Sequence, residues 1–241
     1  MTWSIIAKDP ATGAFGVAVT TKFFAVGALC PHGAARIGAL ATQALVNPLY
    51  GYDGLRLLAE GRSAEEIVEI LTAGDPGRDV RQLHVIDRDG RTAAHTGGDC
   101  VDWCGHLTDD GVSVAGNMLT GPTVIEATLD TYRRRTDLDF AERLMRALAA
   151  GQAEGGDKRG KQSAAIRIWR TEPYPILDLR VDDHPEPLQE LRRLYDVAHE
   201  RFLAFMDAMA TRANPAGITD RSWIDKRARE IQERAQAAGA A

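Results

Sequence analysis

The residue with the greatest chemical potential in this 241-residue chain is its second. Thr2 stands directly behind the initiator methionine and is small enough for Met1 to be removed during translation, which would leave one residue with a hydroxyl nucleophile and a free α-amine. Such an amine has a reference pKa of about 7.7 to 8.0, so near neutral pH it can take the hydroxyl proton as general base. No histidine or separate triad is then needed. The plainer reading is that Thr2 merely opens a strand.

Other residues would complete such a site. Lys22 follows the second apolar run directly; in a hairpin with the first it would approach the Thr2 amine and lower its pKa by like-charge repulsion, or it is an ordinary surface lysine. Asn117, in Gly116-Asn117-Met118-Leu119, closes a β-like run, where an amide is either a fixed donor to an oxyanion or a turn residue. Asp157, Arg159, Gln162 and Ser163 crowd a glycine-rich stretch entering a strand. There backbone can approach a ligand and Arg159 can fork onto a carboxylate, although a solvated loop has the same composition. Gln43 and Asn47 put two amides at the end of a chiefly apolar strand, which is costly unless they are paired or bind something.

His95, Cys100, Cys104 and His106 are metal-ligand types close together in sequence. Their spacing matches no standard zinc finger and there is no second Cys pair, so buried or reduced thiols are the competing reading. No metal or organic cofactor is expected. The chain also lacks G-x-x-x-x-G-K-[ST], G-x-S-x-G, H-E-x-x-H and G-x-G-x-x-G.

Positioning these residues falls to recognisable elements. Residues 2–8 alternate, with Trp3, Ile5 and Ala7 on one face and Thr2, Ser4 and Ile6 on the other, which predicts a strand. The turn Asp9-Pro10-Ala11-Thr12-Gly13 hairpins it to a second strand over 16–21. A third strand is predicted over 36–44, ended by Asn47-Pro48. Helices follow over 54–60 and from Ser63, where Ser63 and Glu66 form a capping box. A hairpin joins 83–86 to 92–95 through Asp87-Arg88-Asp89-Gly90. Further strand is predicted over 112–117, helices over 123–134 and 140–152, and strands over 163–169 and 176–181. Strands and helices come in blocks, which favours antiparallel layers over a doubly wound parallel sheet.

The fold expected is α+β, a four-layer α/β/β/α sandwich of antiparallel sheets with a C-terminal helical appendage. Residues 1–182 would form the sandwich and 183–241 the extension, as two long charged helices over 187–209 and 219–238. The apolar stripe Leu188, Leu191, Leu194, Tyr195, Ala198, Phe202 and Phe205 must bury somewhere, by docking on the domain or in a homodimer.

Composition excludes several classes. Hydrophobic residues at 44% and charged residues at 26% are ordinary for a globular chain. With 29 Lys+Arg against 34 Asp+Glu, the net charge is −5 and lacks the basic excess that phosphate contacts demand, so nucleic acid is not an expected partner. No window approaches the apolar length of a membrane span. The N-terminus lacks the pattern of a signal peptide, and three cysteines suit a reducing compartment. A cytoplasmic location is expected.

Ordered blocks carry a resemblance: residues 1–10, Lys22 to Gly27, Ala41 to Pro48, Asp75 to Gln82, Gly116 to Leu119, and Gly156-Asp157 on to Gln162-Ser163-Ala164. Through them the chain resembles the domain-of-unknown-function 1028 family, which is grouped with the N-terminal nucleophile hydrolases. The resemblance implies an αββα sandwich and makes Thr2 the leading nucleophile, since that superfamily uses a terminal Thr, Ser or Cys to cleave amides. It supplies no settled activity. The family often carries a C-terminal segment likened to a peptidoglycan-binding module, which residues 186–241 do not resemble. The expected function is hydrolysis of a small polar amide, with catalytic Thr2, Lys22 and Asn117 and with Gln43, Asn47, Arg81, Asp157, Arg159 and Gln162 orienting the substrate. A non-catalytic domain that binds a metabolite or a partner is the alternative, and a thiol enzyme or zinc protein through Cys100 and Cys104 a third.

Overall fold

A computed structural model describes residues 2–239, and the side chains of 2–235. Met1 lies outside the described residues. Alternation in the first residues yields β1 (Thr2–Lys8), which turns through Gly13, at φ +71°, into the antiparallel β2 (Phe15–Thr21). Their register pairs Thr2 with Thr21 and Lys8 with Phe15. The chain then forms β3 (Pro31–Ala34) and β4 (Gly38–Ala44), two helices, β5 (Arg81–Asp87), β6 (Thr92–Thr96), β7 (Gly105–Asp109) and β8 (Val112–Asn117). Two more helices lead to β9 (Ser163–Trp169) and β10 (Leu177–Val181).

The fold is mixed α+β with two antiparallel sheets. One has six strands in the order β10-β9-β2-β1-β8-β7 and the other four, in the order β3-β4-β5-β6. Thus β1 lies in the interior of the larger sheet, paired on both sides, with Thr2 opposite Thr21 on one flank and Asn117 on the other.

Alternation decides what each face buries. Ile6, Val17, Val19 and Ala165 of the larger sheet share one apolar cluster with Ala39, Ala41 and Ile86 of the smaller, so these faces pack together. On the opposite face of the smaller sheet, Leu40, Leu83 and Val85 meet Leu57 and Leu58 of α1 (Leu49–Ala59) and Ile67 and Leu71 of α2 (Ala64–Ala73). Each such fully buried side chain contributes roughly 1.5–3 kcal/mol. On the opposite face of the larger sheet lie α3 (Thr123–Arg134) and α4 (Phe140–Ala153). Gly16 permits this approach: a Cβ there would stand 2.6 Å from Leu144 Cδ1. Ser63 and Glu66 form the expected capping box on α2, and Asp139 caps α4 by accepting from Glu142 N.

Differences from the sequence expectation have local causes. The strand expected over 36–44 starts at Gly38, because Arg36 takes φ +64° in the turn of a β3–β4 hairpin. β3 itself was not expected; it begins with Pro31 and forms a sheet edge, where proline costs no ladder bond. The unexpected β7 is the other kind of edge, short and half exposed. α1 starts at Leu49 instead of 54, with Pro48 already helical at its N-cap.

The chain divides into two compact units, Met1–Leu188 and Gln189–Ala241. Where two long helices were expected beyond 186, three form: α5 (Pro187–Glu200), α6 (Phe202–Asp207) and α7 (Arg221–Gly239). Arg201, at φ −154°, interrupts the first. In the second unit Ala204, Ala208, Ile224 and Ala228 form a small core, and Arg227 Nε bonds Asp207 Oδ2 at 2.9 Å. Of the expected stripe, Leu191, Tyr195 and Ala198 are buried, while Phe202 and Phe205 are exposed. No described helix is long and apolar enough to cross a membrane.

Candidate active site

Sheet register brings one end of each sheet together. Thr2 heads β1, Thr21 ends β2 and Asn117 ends β8, while Gln43, near the end of β4, faces Gln82, near the start of β5. Thr2, Ser4 and Ile6 point between the sheets, as their alternation predicts, and Trp3 packs on the helical side beside Gly151. The inward face of this strand end opens on a cavity of about 440 Å³. Thr2, Gln43, Asn117 and Arg159 line it, together with Cys30, Cys100, Asp99 and several apolar side chains.

Thr2 is 8% exposed, and its hydroxyl lies 3.0 Å from that of Thr21. A buried polar network stands behind it. Gln43 Nε2 donates to Gln82 Oε1 at 2.7 Å, to Ala115 O at 3.1 Å and more weakly to Thr2 O at 3.5 Å. Asn117 Nδ2 donates to Gln82 Oε1 at 3.1 Å and, at 3.5 Å, to Thr2 O. Gln82 Nε2 in turn reaches Gly116 O at 2.8 Å, Thr96 Oγ1 at 2.9 Å and Gly105 O at 3.0 Å. The two glutamines of the smaller sheet thereby grip backbone of the larger one, while Gln43 and Asn117 approach the carbonyl of Thr2.

The network extends inward to His84. Ser4 Oγ donates its one proton to Gln43 Oε1 at 2.6 Å, so its 2.9 Å contact with His84 Nε2 has the imidazole as donor. His84 Nδ1 then accepts from the Ser113 hydroxyl at 3.0 Å. Burial, helped by the nearby His106, pushes the His84 pKa down to about 3, so the ring is neutral at pH 7.

The other expected site residues lie away from the cavity wall. Lys22 turns its ammonium to Lys161 O at 3.1 Å and does not line the cavity. Asn47 Nδ2 and Arg81 Nε both donate to Asp75 Oδ2 at 3.2 Å, and Arg81 also reaches Leu45 O. They brace the segment after β4 through Asp75. Burial works to raise the Asp75 pKa, but donors from Gly77 N, Tyr50, Asn47 and Arg81 outweigh it and hold the carboxyl at about 2. Asp157, buried, accepts from Lys22 N and Arg159 N, both at 2.8 Å, and from the Arg159 guanidinium at 3.3 Å. It clamps the glycine-rich loop so that Arg159 reaches the cavity. Gln162 Nε2 bonds Asp183 Oδ1 at 3.0 Å.

Gln82, Thr21 and Asp99 were not singled out from sequence. Thr21 was legible in principle, because a hairpin centred on the turn at Asp9 to Gly13 pairs it with Thr2. Cys30 is a wall residue; burial pushes its thiol up to about 12. Cys100 lines the cavity and donates to Arg81 O at 3.2 Å. Among the described residues, no group of three or more His, Cys, Asp or Glu converges to hold a metal ion. Ala44, at φ +69°, and Met118, at φ +55°, also line the cavity; non-glycine residues in this region are strained, and such strain concentrates at functional sites.

The chain belongs to DUF1028, a family of unknown function whose model matches residues 2–191. Among solved structures, protein SPO2555 from Silicibacter pomeroyi, described under the same family, is 33% identical. The match covers 91% of this chain and 96% of that one with a TM-score of 0.84. No curated protein matches.

Proposed function

We propose that the protein is an amidohydrolase of the N-terminal nucleophile type, on a four-layer αββα arrangement, with Thr2 as nucleophile once Met1 is removed. The observation that carries this reading is the position of the Thr2 hydroxyl: at the head of an interior strand, lining a cavity, with Asn117 across the ladder. Layering is supported by α1 and α2 on one sheet and α3 and α4 on the other.

In the reaction, the Thr2 α-amine takes the Oγ1 proton as Oγ1 bonds to the substrate carbonyl carbon. The C–N bond then breaks, the amine proton passes to the leaving nitrogen, and an acyl ester remains on Thr2. Water, deprotonated by the same amine, hydrolyses that ester to a carboxylic acid and restores the hydroxyl. The Thr21 hydroxyl, 3.0 Å away, orients Oγ1. Of the Asn117 Nδ2 contacts, the 3.5 Å one to Thr2 O is weak and is the one an oxyanion would replace. No organic cofactor is needed.

A second reading, metabolite binding without catalysis, is favoured by the engagement of both cavity amides, Gln43 and Asn117, with protein partners. One experiment separates the two. Untagged protein is weighed intact, its terminal peptide is sequenced, and amide turnover is compared for wild type, Thr2→Ser and Thr2→Ala. Hydrolysis requires loss of Met1, retained turnover in Thr2→Ser and a fall of at least about 10³-fold in Thr2→Ala. Retained Met1 in active protein, or turnover indifferent to Thr2→Ala, overturns it.

A further inference from the structure

A site for a small polar amide would keep unspent donors and acceptors in its wall, because each polar group of a buried substrate needs a partner. This cavity has few. The Gln43 amide and Asn117 Nδ2 are committed to Gln82, Ser4 and backbone carbonyls, which leaves Asn117 Oδ1 as one amide acceptor. The Thr42 hydroxyl donates to Asn47 O at 3.2 Å, and the Cys100 thiol to Arg81 O. What faces the space is hydrocarbon, from Val26, Leu29, Leu45, Val46, Val80 and Val101. Charge in the wall, among the described residues, is confined to Asp99 and Arg159, both solvent-exposed.

Size and rim agree. A cavity of about 440 Å³ falls in the range, roughly 300–1,000 Å³, that encloses most of a ligand far larger than an acetyl group. Three apolar wall residues are also left substantially in water: Leu45 is 65% exposed, Phe23 56% and Val101 52%. Apolar surface gathered at a concave mouth marks a binding site.

We infer that the cavity takes amides whose acyl portion is an apolar chain or ring, in place of the small polar amide expected from the sequence. The inference rests on the hydrolytic reading above for the reaction, in which amide and water give carboxylic acid and amine. It rests on the wall alone for the ligand class.

The test has two arms, on full-length protein with its native N-terminus. In the first, aminomethylcoumarin amides of acetate, butyrate, hexanoate and phenylacetate share one leaving group. kcat/KM is expected to rise about fourfold per added methylene up to hexanoyl. A flat or falling series overturns the ligand class while leaving hydrolysis standing. In the second, calorimetry on Thr2→Ala measures hexanoate, phenylacetate and acetate, with no turnover involved. Hexanoate and phenylacetate are expected to bind at least tenfold tighter than acetate; equal affinities overturn the inference. Selective binding with no wild-type turnover upholds the ligand class and removes the hydrolytic reading. Val101→Asp, at a position 52% exposed, is expected to reduce the hexanoate preference in both arms, and an unchanged preference counts against the cavity as its source.

Discussion

Gln43 and Gln82 face each other across neighbouring strands of the smaller sheet and are joined by a 2.7 Å hydrogen bond, yet most of their remaining contacts cross to the larger sheet. Gln43 reaches Ser4 and Ala115, and Gln82 reaches Gly105, Gly116 and Asn117. The pair is therefore a polar staple between the two sheets, placed directly behind Thr2 and continued inward by His84.

Removing half of that staple strands its partners. Gln82→Leu leaves Gln43 Nε2, Asn117 Nδ2 and Gly116 O short of partners in a dry interior, at about 1–3 kcal/mol for each group left unsatisfied. The expected result is a urea midpoint lowered by several kcal/mol of stability, with turnover also lost because Asn117 is released. A midpoint within experimental error of wild type would show that water replaces the amide.

His84 makes stability depend on pH. Its folded pKa of about 3 lies below the ordinary imidazole value of 6.5, so the unfolded chain binds the proton more readily. The neutral ring is fully compatible with folding above pH 6.5, and stability is lost progressively as pH falls from there towards 3. The expected slope is about 1.4 kcal/mol per pH unit over that window. Denaturant titrations at several pH values should show His84→Gln flatter than wild type by that slope; parallel profiles would assign the acid sensitivity to another group.

Asp75 acts in a lower window. Its carboxyl is held at about 2, below the ordinary carboxylate value of 3.8, so its contribution is complete above 3.8 and disappears as pH falls through 2. Asp75→Asn is expected to destabilise the fold at pH 7 and to converge with wild type near pH 2. Arg81→Lys keeps a cation near Asp75 but loses the forked reach to Leu45 O. It should change stability more than KM for any substrate; a large KM effect with unchanged stability would return Arg81 to the binding role expected from sequence.

Ala44 supplies a backbone test. At φ +69° its methyl group is tolerated at a cost of roughly 1–2 kcal/mol. Ala44→Gly removes that cost but adds chain entropy in the unfolded state, leaving thermal stability close to wild type. Ala44→Val places a branched side chain in the same conformation and is expected to lower the melting temperature clearly. Equal melting temperatures for the two variants would contradict a left-handed residue 44.

Much of the scaffold was legible because its signals are local. The face alternation from Thr2 to Lys8, the hairpin at Asp87 to Gly90 and the capping box at Ser63 and Glu66 are set by neighbours in the chain, and each forms as read. β3 and β7 were missed because sheet edges bury little and tolerate Pro31 and the polar face of His106 and Thr108. At the site, Thr2, Gln43, Asn117 and Arg159 meet at one cavity, while Lys22, Asn47, Arg81, Asp157 and Gln162 turn to other protein groups. Residue type announces the capacity to bind a polar group, but only the docking of two sheets decides whether that group is a ligand or another side chain. Gln82 could not be found by type, since its partners come from four strands.

The polar cluster between the sheets also bears on misfolding. Slippage of β1 by one residue against β8 would swap its faces, turning Ser4 towards the helices and Trp3 and Ile5 towards Gln43 and His84. An all-apolar interface would accept that misregister with less loss, whereas here it takes the Ser4 hydroxyl away from Gln43 Oε1 and His84 Nε2 in a buried interior. Ser4 lies 39 residues from Gln43 and 80 from His84, so this check on alignment is made only when distant segments meet. Docking of the two sheets thereby depends on contacts of high sequence separation, the kind whose loop-closure cost slows folding.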